Sequence, residues 1–100
     1  MIESQGFDLQ SEKHKFLLFV SGMSVKSSYA IENIRKICDH YLQDCSEIEI
    51  IDINREQQLA IDYQIIAIPT LIKINPKPVK VILGDLSDIE KVVRLLEIES

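Results

Sequence analysis

Two short apolar runs on either side of one helical stretch constrain this chain more than any other feature. Lys15-Phe16-Leu17-Leu18-Phe19-Val20 is apolar after its lysine and is stopped by Ser21-Gly22, so it reads as a buried strand. Glu47-Ile48-Glu49-Ile50-Ile51-Asp52-Ile53 carries β-branched Ile48, Ile50, Ile51 and Ile53 and reads as another. Between them Ala30, Ile34, Ile37, Cys38 and Tyr41 recur at helical spacing, with Glu32, Arg35, Lys36 and Asp39 filling the wet side. Ser24 stands where that helix needs a cap. Strand, helix and strand in this order make a βαβ unit, whose crossover is right-handed.

The second half has a different grammar. Asn54 and Gln57 resemble a capping box opening a short helix through Leu59, Ala60 and Tyr63. Ile68-Pro69-Thr70 leads into Leu71-Ile72-Lys73-Ile74, the turn Asn75-Pro76-Lys77-Pro78 reverses the chain, and Val79-Lys80-Val81-Ile82-Leu83 returns as a hairpin. Gly84-Asp85 ends it. Ser87 and Glu90 form a second capping box before Ile89, Val92, Val93 and Leu96. The order is β-α-β-α-β-β-α, an α/β class with the thioredoxin layout of a βαβ half joined to a ββα half. With 100 residues there is room for one such core. Residues 1–13 show no sustained period and read as a loose tail before a single domain over 14–98.

Composition narrows the partners. A net charge of -5 disfavours nucleic acid, whose phosphates are neutralised by Lys and Arg. The first residues, Met1-Ile2-Glu3-Ser4-Gln5-Gly6-Phe7-Asp8, lack the basic end and apolar run of a secretory signal, and no apolar stretch approaches a membrane span of roughly 18 residues. The expectation is a cytoplasmic protein. Cys38 and Cys45 are seven positions apart, which fits neither a Cys-x-x-Cys pair nor a zinc module, so both read as reduced structural thiols.

Catalytic chemistry finds little purchase. In a thioredoxin-like enzyme the nucleophilic thiol sits where the first strand gives way to the first helix, because the helix N-terminus stabilises a thiolate. Here that turn reads Gly22-Met23-Ser24-Val25-Lys26, without a thiol, and Ser24 is better explained as a cap than as a nucleophile. Cys38 and His40 point to nearly opposite sides of a helix and cannot share a metal with Cys45. His14 and His40 are lone histidines. No phosphate loop or dinucleotide fingerprint is present, so no cofactor is expected. Pro69 at the start of the third strand is open to two readings, a partner-facing proline of the thioredoxin kind or one merely tolerated at a strand start. Asp85 and Asp88 fit turn and helix-start roles better than a carboxylate pair.

Phe19-Val20-Ser21-Gly22, Ile51-Asp52-Ile53, Gln58-Leu59-Ala60, Ala67-Ile68-Pro69-Thr70-Leu71-Ile72-Lys73-Ile74 and Gly84-Asp85-Leu86-Ser87-Asp88-Ile89-Glu90-Lys91-Val92 are similar, in order and spacing, to the KaiB family. The likeness runs over about residues 14–97, and its most specific words are Ala-x-Pro-Thr-Leu and Gly-Asp-Leu-Ser-Asp. The resemblance implies a non-enzymatic adaptor that binds KaiC, a hexameric kinase-like ATPase, and gates its phosphorylation cycle in a clock, timer or stress pathway. It also implies a metamorphic chain, a homotetramer when free with a different C-terminal order, and a thioredoxin-like monomer when bound. Such switching needs two packings within a few kcal/mol of each other.

Several positions depart from the family pattern. Basic residues are usual where this chain has Leu17, Tyr29, Glu49 and Gln64, while Lys73 and Lys80 keep their charge. Lys26, Glu49, Gln64, Lys73 and Lys80 are therefore the candidate partner-binding residues. Glu49 falls on the strand edge that family members use for the activator KaiA, and reversed charge there makes a KaiA-type partner doubtful. Pro69, Gly84, Asp85, Leu95 and Glu97 are the candidate structural or fold-switch positions; at Leu95 and Glu97 the family often has Gly and Asp. The rival functions are a thioredoxin-like thiol oxidoreductase and a stand-alone sensor or docking domain of a signalling system.

Overall fold

The computed structural model describes residues 13–43 and 45–98, so the expected tail lies outside the described residues apart from Lys13. The elements follow the sequence order: β1 (His14–Val20), α1 (Val25–Ile37), β2 (Ser46–Asp52), α2 (Gln57–Asp62), β3 (Thr70–Asn75), β4 (Lys80–Leu83) and α3 (Ile89–Leu96). The strands form one mixed sheet in the order β2-β1-β3-β4. β1 runs parallel to β2, Phe16 beside Ile48 and Val20 beside Asp52, and antiparallel to β3, Phe19 beside Thr70. The hairpin pairs Leu71 with Ile82 and Lys73 with Lys80.

β1 is central because its side chains are apolar on both faces; Phe16, Leu17, Leu18, Phe19 and Val20 are all buried. Phe16, Leu18, Val20 and Leu71 point to one face, where α1 supplies Ala30, Ile34 and Ile37 and α3 supplies Val92, Val93 and Leu96. Leu17, Phe19, Ile51 and Ile72 point to the other, met among the described residues by the six-residue α2 and its flanks through Leu59, Ile65 and Ile68. Burying side chains of this kind contributes about 1.5–3 kcal/mol each, so the two-helix face carries most of the stability.

Four local expectations need correction. Tyr41 is exposed, because the end of α1 widens into a π-type turn in which Gln43 N–H reaches Cys38 O at 2.7 Å. The wider turn hands the packing position to Leu42. No capping box forms at Asn54: α2 starts from Glu56 without a side-chain cap, and Asn54 instead takes Asp52 Oδ1 through its N–H at 2.9 Å. The cap of α3 is Asp88, whose Oδ1 accepts from Lys91 N–H at 3.2 Å, one residue beyond the expected Ser87. Ser87 N–H is held by Asp85 Oδ1 at 3.1 Å, an Asx-type turn that takes the amide a Ser87–Glu90 capping box would offer to the glutamate. Cys38 is buried, as a structural thiol should be, whereas Cys45 is exposed.

Candidate partner-binding site

The strand register gathers four connections at one end of the sheet: the turn after β1, the exit of β2, the entry to β3 and the exit of β4. Gly22 takes a left-handed φ of +54° in the first of these, which lets the chain leave β1 sharply. Ser24 then caps α1, its Oγ accepting from Ser27 N–H at 3.2 Å and hydrogen-bonding the Ser27 hydroxyl at 2.7 Å. The fully buried Ser27 in turn accepts from Ser21 N–H at 3.2 Å. Asp52, at the end of β2, clamps the turn by accepting from Gly22 N–H at 3.3 Å as well as from Asn54. Asn54 Nδ2 donates back to Ser21 Oγ at 3.4 Å.

Pro69 is buried beside the end of β1, and the Ile68–Pro69 peptide is cis. Its carbonyl accepts from Gly84 N–H at 2.9 Å, and Thr70 Oγ1 donates to Ala67 O at 2.6 Å. Gly84 has φ +108°, a conformation that favours glycine. Asp85 O accepts from Asn33 Nδ2 at 2.9 Å, which ties this exit to α1. Ser24, Asp52 and Thr70 thus spend side-chain oxygens on positioning backbone. The most exposed apolar side chains here are Met23, 89% exposed, and Ile66, 88% exposed, with exposed Val25 and Lys26 following Met23 on the start of α1. That combination can bind a protein surface.

The thiols stand at the opposite end. His14 N–H donates to Cys45 O at 2.9 Å, so Cys45 adjoins the start of β1, a strand length or about 20 Å from Ser24. Burial pushes the Cys38 thiol up, the Asp39 carboxylate adds to the rise and a Ser46 hydrogen bond opposes it. A thiol held protonated in this way is a poor nucleophile.

The five candidate partner-binding residues do not converge. Lys26 lies in the first turn of α1 at the site just described. Gln64 follows α2 with φ +55° and lines a groove of about 400 Å³ with Tyr63, Ile66, Ile72, Val81 and Leu83. Glu49 is exposed on β2, an edge strand, opposite Leu17. Lys80 begins β4 at the far end, with Nζ 3.0 Å from Glu97 Oε2. Lys73 requires a correction, since a partner-facing lysine must be exposed and this one is 2% exposed, donating from Nζ to Leu96 O at 3.0 Å. Strand alternation puts it on the Leu71 face beneath the C-terminus of α3, where unsatisfied carbonyls attract a cation. Leu95 is 43% exposed on α3, and Glu97 closes that helix at φ +60°. Lys80 holds the Glu97 carboxyl below the usual range by hydrogen bond and charge, with Lys73 contributing. Sequence reasoning missed the Asp52 clamp and the half-covered sheet face; the shortness of the segment between β2 and β3 was the available signal for the latter.

A βαβ–ββα sheet with a proline entering the strand beside the end of β1 defines a thioredoxin-like domain, here with a serine cap in place of the thiol. Solved structures agree on the fold. The N-terminal domain of Synechococcus elongatus SasA superposes with a TM-score of 0.70 at 22% identity, covering 89% of this chain and 88% of that one. Deadhead, a germline thioredoxin of Drosophila melanogaster, superposes at 0.68 with 14% identity over 94% and 88%. The family model described as the KaiB domain matches residues 17–98, and the chain belongs to the KaiB family. It is 44% identical over 81 residues to circadian clock protein KaiB3 of Synechocystis, covering 81% of this chain and 79% of the relative. It is 41% identical over 76 residues to the circadian clock oscillator protein KaiB of Prochlorococcus marinus, covering 76% and 72%.

Proposed function

We propose that this chain is a non-enzymatic adaptor that binds a KaiC-like hexameric ATPase and regulates its phosphorylation cycle in a circadian clock, timer or stress pathway. One observation carries the chemical half of that statement: the start of α1 presents a serine already engaged in capping where an oxidoreductase needs a thiolate. Family membership and the clock names of the relatives support the partner half. The contact surface we assign is the sheet end around Met23, Val25, Lys26 and Ile66, where apolar exposure is greatest and the supporting backbone is pinned by Asp52 and Pro69.

The free protein forms a homotetramer with a different C-terminal arrangement, and the partner selects the thioredoxin-like monomer. Selection of a minor form slows association in proportion to its population. A KaiA-type partner is disfavoured by Glu49 on the β2 edge. The site of action is the cytoplasm; among the described residues no helix is long and apolar enough to cross a membrane.

The test is co-elution of the purified chain with the host's KaiC-like ATPase, followed by binding kinetics. A complex weakened by Met23→Asp and Lys26→Glu is expected. A correctly folded chain that forms no complex with the hexamer in any nucleotide state overturns the proposal.

A further inference from the structure

β4 closes the sheet on one side, and among the described residues no strand pairs with its outer edge. Gly84 N–H is bonded to Pro69 O, and the β3–β4 register places Leu71 opposite Ile82 and Lys73 opposite Lys80. Bonded and non-bonded pairs alternate along an antiparallel ladder, so Lys80 and Ile82 turn their N–H and C=O groups toward β3 while Val81 and Leu83 turn theirs outward. An unpaired edge of this kind accepts an added strand.

Two grooves flank that edge, one on each face of the sheet. On the α2 side Val81 and Leu83 wall the groove of about 400 Å³ that runs to Ile72, Tyr63 and Ile66. On the α3 side a groove of about 320 Å³ is lined by Ile82, Val92 and Leu95, with Asp85, Asp88 and Lys91 toward the exit of β4. Two carboxylates against one ammonium leave that exit negative. The cation at the other end, Lys80, is already held by Glu97 at 3.0 Å.

The two linings select one occupant. We propose that β4 of the thioredoxin-like monomer accepts an extended, basic segment of a partner protein, paired antiparallel to it, with apolar side chains opposite Val81 and Leu83 and a lysine or arginine opposite Ile82. Antiparallel pairing is the more stable sense, and it lets Val81 and Leu83 each exchange both hydrogen bonds with a single residue. Side chains directly opposite one another share a face, so the two apolar ones enter the α2-side groove. The basic one enters the α3-side groove, its aliphatic stem along Ile82, Val92 and Leu95 and its charged end at Asp85 and Asp88. A second copy of β4 does not fit this pattern, because its one cation is engaged by its own Glu97. The site does not rest on the reading as an ATPase adaptor, although it meets the surface assigned to that partner at Ile66.

The test is NMR titration of the full chain at low micromolar concentration, where dilution favours the monomer. The probe is a capped heptapeptide whose central valine-lysine-valine is flanked by threonine and serine; a second peptide has glutamate in place of the lysine. The lysine peptide should shift β4 and both grooves, and the glutamate peptide should bind about five-fold more weakly or less. Asp85→Asn with Asp88→Asn keeps both backbone hydrogen bonds while removing the charge, and should bring the two peptides to within about two-fold of each other. Val81→Pro removes an outward N–H and no β3–β4 bond, so the melting curve should hold while binding weakens by about five-fold or more. Absence of shifts at millimolar peptide overturns the proposal, as do equal binding of the two peptides or shifts centred on the β2 edge. Val81 and Leu83 amides already protected from exchange before any peptide is added would show that the chain itself covers this edge, and would overturn it too.

Discussion

Replacing Lys73 tests what a buried ammonium does for this fold. Its Nζ is buried and donates to Leu96 O at 3.0 Å, beside the carbonyl end of α3 and within the influence of Glu97. Taking an ammonium out of water costs several kcal/mol after relaxation. A hydrogen bond to a charged donor returns about 1.5–3 kcal/mol, and the helix terminus about another 0.3–1 kcal/mol. The two sides nearly cancel. Lys73→Met keeps the aliphatic volume and removes the desolvation, at the cost of an unpaired Leu96 carbonyl, about 1–3 kcal/mol. Its stability should fall within about 1 kcal/mol of the parent, since exchanging buried ions for apolar isosteres is often neutral. Lys73→Ala removes the packing as well and should lose about 2–5 kcal/mol, the range for deleting long buried side chains. Urea unfolding reads both, as midpoint shifts at unchanged slope. In a thermal scan the alanine loss corresponds to a fall of roughly 8 °C or more. If the methionine variant lost more than about 3 kcal/mol, the ammonium would be a strong net stabiliser and the near-cancellation argued here would be wrong.

Further outcomes follow from the same geometry. The chain should not reduce a protein disulfide, and activity abolished by Cys38→Ser or Cys45→Ser would contradict the assignment of both thiols away from the α1 start. In the native state a maleimide should label exposed Cys45 readily and buried Cys38 only on unfolding; equal rates would mean that the end of α1 opens. The depressed Glu97 carboxyl stabilises the fold above the ordinary Glu range, and that contribution is lost as pH falls through its lowered pKa. NMR titration of Glu97 should show this, and Lys80→Met should return the midpoint toward the ordinary range. Leu95→Gly should cost α3 about 1 kcal/mol by helix propensity and slow association with the ATPase; an unchanged rate with a destabilised helix would separate α3 from partner selection.

The order of elements was legible in the sequence because each carries its own period. β1 is apolar from Phe16 to Val20 and had to be central, and the α1 stripe from Ala30 to Ile37 had to face it. What could not be read depends on contacts between segments distant in the chain. Lys73 looks like any lysine in an apolar strand, and only the arrival of Leu96 above it decides that its charge points inward. The cap of α3 slipped from Ser87 to Asp88 because Asp85 competes for the Ser87 amide, a choice between adjacent residues that motif spacing does not rank. Tyr41 was misplaced by a single wide turn. At the candidate partner-binding end, Ser24 was identified as a cap from its position alone. The Asp52 clamp was invisible, since it joins residues thirty positions apart.

The position of β1 between β2 and β3 has a consequence for how the molecule breathes. Its left neighbour arrives through a local crossover and runs parallel, while its right neighbour belongs to the other half of the chain and runs antiparallel. A fluctuation that parts β1 from β3 frees the whole hairpin with α3 as a unit, yet leaves the first three elements paired. Amide protons should therefore exchange in two tiers, with those joining β1 to β2 outlasting those joining β1 to β3. The seam between the tiers is where the hairpin and α3 can part from the sheet without first unravelling its N-terminal half.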